Sequence, residues 1–465
     1  MLLSAAVDIV DREREIEELR RLAAAPPALV VLRGRRRIGK TYLLRVALPG
    51  DRVINLQAEQ RPLALQLEAF ARECGRLLPG RPPLALADWA EALGFVETQA
   101  RAEGQVVVIL DEFQYLVASD PGLESTVQRF WDRWDVEGVP VLLVLSGSAL
   151  SFMDRLLGGT RPTHGRSTLR PLLLPLTYRD AAAFAPANST PAQRIERFAV
   201  FGGTPQYQRW AGRMPLLEAI ERTCLHPDAP LYSEPEHLIR EEEGIREPGP
   251  YFGALQSIAE GYSRTTAIAG RLQIKQQLAT AFLARLRELG YVERAEPLEP
   301  RRKGGARGYW RIADPYFRFW FRFVLPNRSR LARGRVKEVL AEIRRDLPTY
   351  VGPAFEDCCR EWVGRYSSLG EDALELGSWW SRRSDIEVDL VTITKTGYGV
   401  LGSCKWSTRP VGAAVLDGLQ EARGRLGKPA AGAELALFAR AGFGDLVRSR
   451  AEAERVTLVE AKDLF

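Results

Sequence analysis

The stretch Gly34-Arg-Arg-Arg-Ile-Gly39-Lys40-Thr41 limits what this chain can fold into more than any other. It fits the phosphate-loop pattern G-x-x-x-x-G-K-[ST], and its flanks suit that pattern: an apolar run at 28–32 reads as a buried strand and 41–47 as a helix. Strand, glycine loop and helix, in that order, are the setting the motif requires. There the backbone N–H groups turn inward onto phosphate oxygens, and the helix N-terminus adds positive potential. Gly34, Arg35, Arg36, Arg37, Ile38, Gly39 and the adjoining Tyr42 form the expected cradle. Lys40 is expected to reach the β- and γ-phosphates and Thr41 to ligate Mg²⁺. A nucleoside triphosphate and Mg²⁺ are therefore the expected cofactors.

A second apolar run, at 105–110, ends in Asp111-Glu112-Phe113-Gln114. In phosphate-loop NTPases a carboxylate at the end of such a strand holds Mg²⁺, which suits Asp111. An adjacent glutamate can polarise the attacking water, which suits Glu112. The competing reading is a pair of acids capping a helix N-terminus. A third run, at 139–145, ends at Ser146-Gly147-Ser148, where a small polar residue can sense the γ-phosphate or the water; a plain helix cap is the alternative. Arg161 and Arg166 flank His164-Gly165 in a loop-like stretch, and either is a candidate arginine finger, acting within the chain or across subunits. The alternative is a solvated loop arginine. Lys40, Glu112, Ser148 and Arg166 make up the expected catalytic set.

A chain of 465 residues suggests two to four domains. It has no run of about 18 apolar residues, so no membrane span is expected. The start, Met1-Leu-Leu-Ser-Ala-Ala-Val, lacks a basic residue and soon meets Asp8 and Asp11, which does not suit a signal peptide. The five cysteines are scattered without a C-x-x-C pair, and the three histidines form no cluster, so a structural zinc site is not expected. Scattered thiols suit a reducing cytoplasm, the expected location. The net charge of +6 and pI of about 9.1 permit nucleic-acid binding, though the charge is dilute over this length.

Residues 8–24 read as an amphipathic helix with Asp11 as N-cap and Ile16, Leu19 and Leu22 as its stripe. Strands are expected near 28–33, 52–56, 105–110 and 140–145, with helices at 61–78, 86–103 and 122–135 between them. Alternating strands and helices imply a parallel, three-layer α/β sheet with the loop at the carboxyl end of its strand. Residues 175–245 look mostly helical, and Gly and Pro at 244–250 suggest a linker. Helical patterns at 251–260, 265–269 and 276–289 precede a strand, a basic tip at 301–307 and a return strand at 309–312. Helices followed by a basic hairpin describe a winged helix, which can set a helix in a DNA groove while the wing contacts phosphates; internal packing or protein contact is the alternative. The aromatic stretch at 312–324 reads as core. A last α/β unit has a helix near 354–365, strands near 385–394 and 398–404, a helix near 411–426, and strands near 434–439 and 455–459.

With these residues assembled, the chain resembles the archaeal-type ATPase family, in the AAA+/STAND branch of phosphate-loop NTPases. The likeness rests on Asp11-Arg12-Glu13, the loop Gly34–Thr41, Leu110-Asp111-Glu112, Ser146-Gly147-Ser148, Gly202-Gly203-Thr204-Pro205 and Asp314-Pro315-Tyr316-Phe317-Arg318-Phe319-Trp320. The resemblance implies ATP as the nucleotide, an adenine pocket lined near 9–12 that includes Arg12, and a lid at 175–245. The last unit looks like a PD-(D/E)xK nuclease fold, whose chemistry needs clustered carboxylates for Mg²⁺ and a lysine to activate water. Glu356 matches the helical acid, Asp389 the strand acid and Lys405 the lysine. Ser403 stands where that pattern has its second acid, which implies a degenerate site unless Asp385 or Glu387 is brought round.

The expected architecture is a multidomain α/β protein: an ATPase core at 1–174, a helical lid at 175–245, a winged helix at 246–330 and a nuclease-like domain at 331–465. The expected function is Mg²⁺-dependent ATP hydrolysis that moves the distal domains, acting on or near DNA. The alternatives are a nucleotide-gated switch for a protein partner and an ATP-regulated endonuclease. DNA, a protein partner and self-association are the open partner classes, and no membrane is expected.

Overall fold

Apolar runs without alternation build the first sheet. The structure is a computed structural model that describes residues 9–78, 84–158, 165–242, 245–300, 308–382 and 385–465. The chain divides into two compact units, one of Met1–Pro175 with Glu242–Gly244 and one of Leu176–Glu241 with Ile245–Phe465. The first holds strands β1 (Ala28–Gly34), β2 (Val53–Gln57), β3 (Val106–Asp111), β4 (Val141–Gly147) and β5 (Leu172–Leu173) in the order β2-β3-β4-β1-β5. All pairings in this sheet are parallel.

Both faces of this sheet are covered. Leu29, Val31, Val108, Leu110, Leu143 and Leu145 enter one core, while Val30, Leu32, Val107, Ile109, Leu142 and Val144 enter the other. This is the two-residue period of a strand read out twice, and it explains why the runs look continuously apolar. Burying each such side chain contributes roughly 1.5–3 kcal/mol, more than the roughly 1 kcal/mol span of strand propensities, so burial selects these strands. Helices α1 (Glu13–Ala24) and α2 (Lys40–Ala47) cover the second face. Helices α3 (Leu63–Cys74), α4 (Trp89–Glu103), α5 (Phe113–Ser119), α6 (Leu123–Glu137) and α7 (Leu150–Leu156) cover the first.

Because β4 lies between β1 and β3, the carboxyl ends of all three strands share one edge. Arg33 pairs with Gly147, and Leu110 with Leu145. Gly34, Ser148 and Glu112 therefore leave the sheet side by side, where open α/β sheets bind ligands. Two details depart from the sequence reading. The strand β5 is only two residues long and gives no periodic signal. Asp11 does not cap α1: it sits at φ 51, Arg12 occupies the cap position, and no side chain caps the helix.

The second unit begins with α8 (Tyr178–Ala181), α9 (Pro191–Phe201), α10 (Pro205–Ala211), α11 (Leu216–Ile220) and α12 (Glu234–Glu241). The sequence suggested a separate lid here, but these helices share one core with later elements, running from Tyr178 to Leu464. Trp320 Nε1 donates to the Tyr232 carbonyl at 2.6 Å, and the Tyr207 and Tyr316 rings stand 5.2 Å apart. Next come α13 (Pro248–Ala259), α14 (Thr265–Leu272), α15 (Gln276–Glu288) and an antiparallel pair, β6 (Val292–Ala295) with β7 (Tyr309–Ile312). The expected basic tip at 301–307 lies outside the described residues. The aromatic run continues as α16 (Pro315–Phe319) and a π-helical turn at Trp320–Val324; Tyr316, Phe317, Phe319 and Trp320 are fully buried, as core.

Helices α17 (Arg328–Leu331), α18 (Val336–Tyr350) and α19 (Gly352–Arg365) lead into a second five-stranded sheet. Its strands are β8 (Glu375–Trp380), β9 (Glu387–Ile393), β10 (Tyr398–Lys405), β11 (Glu434–Ala439) and β12 (Thr457–Glu460), ordered β12-β11-β10-β9-β8. The β8-β9-β10 half is antiparallel and the β10-β11-β12 half parallel. Helix α19 packs on one face; α20 (Ala413–Leu426) and α21 (Asp445–Glu454) pack on the other. The sequence reading missed β8, which begins with exposed Glu375 and half-buried Leu376, Gly377 and Ser378 and becomes buried only at Trp379 and Trp380. Among the described residues no helix is long and apolar enough to cross a membrane.

Candidate functional site

The two glycines of the loop serve different physical ends. Gly39 stands at φ +96 with nothing within 4 Å of an added Cβ, so its requirement is conformational. Gly34 has an ordinary φ, but a Cβ there would come within 2.9 Å of Ile38 Cγ2 and 3.1 Å of the Leu173 carbonyl oxygen. Its requirement is close approach. Between them the loop exposes Arg37, leaves Arg35 and Arg36 half-buried and buries Ile38. Arg36 Nη2 donates to the Tyr115 hydroxyl at 2.7 Å.

Lys40 opens α2 and is buried, donating from Nζ to the Gly34 carbonyl at 2.8 Å and the Arg35 carbonyl at 3.3 Å. Burial lowers its pKa, while the nearby Glu112 and Asp111 pull it back up. Thr41 Oγ1 donates to Asp111 Oδ2 at 2.6 Å, across 70 positions of sequence. The two residues expected to hold a divalent cation are thus in contact, and both offer hard oxygen donors. Two protein oxygens suit Mg²⁺, which keeps several waters and takes the rest of its shell from phosphates. Among the described residues no group of three or more His, Cys, Asp or Glu is placed to hold a metal without such help.

Glu112 follows Asp111 at φ 56, a left-handed conformation uncommon for a residue with a side chain. Arg37, in the loop, does the same at φ 66. Such residues cost on the order of 1–3 kcal/mol each and gather where function needs them. The Glu112 carboxylate accepts from Ser148 Oγ at 2.6 Å, from the Ser148 backbone N–H at 3.2 Å and from Gln114 Nε2 at 2.5 Å, all on Oε2. Burial pushes its pKa up, but the Lys40 charge and these hydrogen bonds outweigh burial and hold it below the usual carboxylate value. Ser148 therefore lies on Glu112. Ser146 is buried, and its hydroxyl has no hydrogen-bond partner among the described atoms. Gln114 was not expected from the sequence. Its signal was a polar residue in the first turn of helix α5, close behind Asp111.

Arg12 is buried and donates from Nη2 to the Leu174 carbonyl at 2.6 Å. Tyr42 is half-buried on α2. Arg166 pairs with Asp132 of α6, Nη2 to Oδ2 at 3.0 Å, so a finger role requires that pair to open. Arg161 lies outside the described residues.

The second candidate cluster lies on α19, β9 and β10. Asp389 is buried, and its Oδ2 accepts from Ser403 Oγ at 3.0 Å, the Cys404 backbone N–H at 2.7 Å and Lys405 Nζ at 3.2 Å. Ser403 thus serves as a donor to Asp389 where the nuclease pattern has an acid. Burial and the Asp389 charge push the Glu356 carboxyl up to about 7. Asp385 is not brought round: it pairs with Arg425 at 2.8 Å. Glu387 lines a cavity together with Glu356. Beside them Asp357, also not anticipated, accepts from Arg360 at 2.8 Å and Arg311 at 2.9 Å, with Arg318 at 3.4 Å.

A family model described as archaea bacterial proteins of unknown function, DUF234, matches residues 320–416. An uncharacterized protein of Methanocaldococcus jannaschii is 27% identical over 389 residues, covering 83% of this chain and 84% of its own length. Among solved structures, the Walker-type ATPase of Pyrococcus abyssi is similar at a TM-score of 0.47 and 21% identity, covering 68% of this chain and 97% of that one. The Aeropyrum pernix ORC2 protein, in ADPNP–ADP complexes, is similar at a TM-score of 0.45 and 16% identity, covering 71% of this chain and 98% of that one.

Proposed function

We propose that this chain binds ATP with Mg²⁺ at the Gly34–Thr41 loop and hydrolyses it, using the cycle to move the elements of its second unit on or near DNA. The observation that carries the reading is the contact of Thr41 with Asp111, with Glu112 the very next residue. These residues lie 70 positions apart, and α2 and β3 need not deliver them to one point for stability alone. Bound Mg²⁺ would supply charge neutralisation for the β- and γ-phosphate oxygens. Lys40 adds a fixed positive charge from the loop's interior, and Glu112 orients the attacking water and takes its proton. Ser148 and Gln114 hold that carboxylate in place. The helices α13–α15 with the β6–β7 pair support a winged-helix reading and hence contact with DNA.

The nuclease-like sheet supports a binding role over cutting. Three donors already converge on Asp389 Oδ2, and Ser403 offers no second charge.

The test is ATP turnover with Mg²⁺, alone and with single- and double-stranded DNA. Stimulation by either DNA supports action on DNA. Turnover that DNA leaves unchanged removes that part and favours the nucleotide-gated protein switch. No turnover under any of these conditions removes the ATPase reading.

A further inference from the structure

A cavity of about 630 Å³ opens in the second unit, walled by α13, β7, α16, α19, β8 and β9. This lies within the size range of small-molecule sites. Three kinds of group meet there. Tyr309 and Trp380 form an aromatic wall, with ring centroids 5.1 Å apart and planes tilted by 48°. Arg264, Arg311 and Arg318 bring guanidinium groups. Glu356 and Glu387 bring carboxylates.

The walls are held in place. Trp310 Nε1 donates to Thr265 Oγ1 at 2.9 Å, and its backbone N–H donates to the Ser263 carbonyl at 2.7 Å, which pins β7 to the start of α14. Asp357 fixes Arg311 and Arg318 from behind, leaving Arg264 exposed at the rim.

Few ligands use all three groups at once. A flat ring stacks on the aromatic wall and is tolerated whatever its edge. A phosphate pairs with guanidinium groups, and arginine suits it through its planar fork. Carboxylates accept hydrogen bonds from exocyclic amino groups on a base edge. We propose that this cavity binds a single nucleotide unit, base against Tyr309 and Trp380 and phosphate toward Arg264. The unit is either a free mononucleotide or one end of a single strand. The site is separate from the phosphate loop and independent of the reading given to it.

The experiment uses the full chain carrying Lys40→Ala, so that the loop's contribution is reduced, and measures binding calorimetrically. The probes are a nucleoside 5′-monophosphate and a 5′-phosphorylated pentanucleotide. Saturable binding of either probe at one site is expected, and which probe binds identifies the source. Arg264→Glu and Tyr309→Leu should each weaken it at least tenfold. Tyr309→Leu leaves the charge unchanged, so its effect separates stacking from general attraction to phosphate. Circular dichroism checks that each variant is folded, and Tyr309→Phe should restore binding. Absence of binding by both probes, or binding that neither Arg264→Glu nor Tyr309→Leu weakens, overturns the proposal.

Discussion

Ser148 Oγ donates to Glu112 Oε2 at 2.6 Å, linking the end of β4 to the residue after β3. On the proposed function, this bond makes Ser148 a positioning residue for the acid that handles water. Ser148→Ala should slow ATP turnover about tenfold, or about 1.4 kcal/mol in the barrier, with nucleotide affinity nearly unchanged. Ser148→Thr, which keeps the hydroxyl, should recover most of it. Steady-state turnover beside equilibrium nucleotide binding checks this. A loss of affinity at constant turnover would assign Ser148 to the nucleotide instead.

Gly39→Ala tests the conformational argument. The site has room for a methyl group but the wrong φ for a residue with a side chain. The substitution should lower unfolding stability by about 1–2 kcal/mol, the cost of the left-handed conformation, and weaken nucleotide binding. Urea denaturation measures the first effect. An unaltered midpoint would mean the loop relaxes freely.

Asp357→Asn leaves Arg311, Arg318 and Arg360 without their shared carboxylate. Asp357 is 28% exposed, so the cost should fall below that of a fully buried pair, at about 2–4 kcal/mol. Asp417→Ala breaks the more exposed pair with Arg450 and should move the midpoint very little. Equal effects from the two substitutions would refute the assigned difference in burial.

Glu356 gives the protein a pH dependence of known sign. Its folded-state pKa is raised to about 7, above the value of 4.5 expected without burial. The folded state therefore holds this proton more tightly than the unfolded state, and stability falls as pH rises between those values. The loss is on the order of 1–3 kcal/mol. Glu356→Gln should flatten this part of the curve, so that wild type loses more of its thermal midpoint than the variant between pH 5 and pH 7.5. Parallel curves would contradict the assignment.

The first sheet was legible because β1, β3 and β4 are buried on both faces and because the loop motif fixes its own flanks. The contact of Thr41 with Asp111 joins two residues that each belong to a local pattern next to a strand end. What the sequence hid was non-local. Gln114 holds Glu112 locally, but its place in the site shows only once the Ser148 end of β4 brings a second donor to the same carboxylate oxygen. Asp357 matters only because Arg311, Arg318 and Arg360 come from three different elements. Residues 175–245 read as a helical lid of their own, since a helical pattern records which face is apolar but not which partner covers it. Arg12 stands at the cap position expected of Asp11 for a similar reason: a cap depends on backbone conformation, which residue type only biases.

The most direct measurement of the central claim is ATP binding and hydrolysis by wild type and Lys40→Ala under the same Mg²⁺ concentration. Measurable turnover is expected in the wild type and loss of nucleotide binding or hydrolysis in the variant, with the thermal midpoint of the nucleotide-free protein little changed. Equal affinity and equal turnover in the two proteins would contradict it.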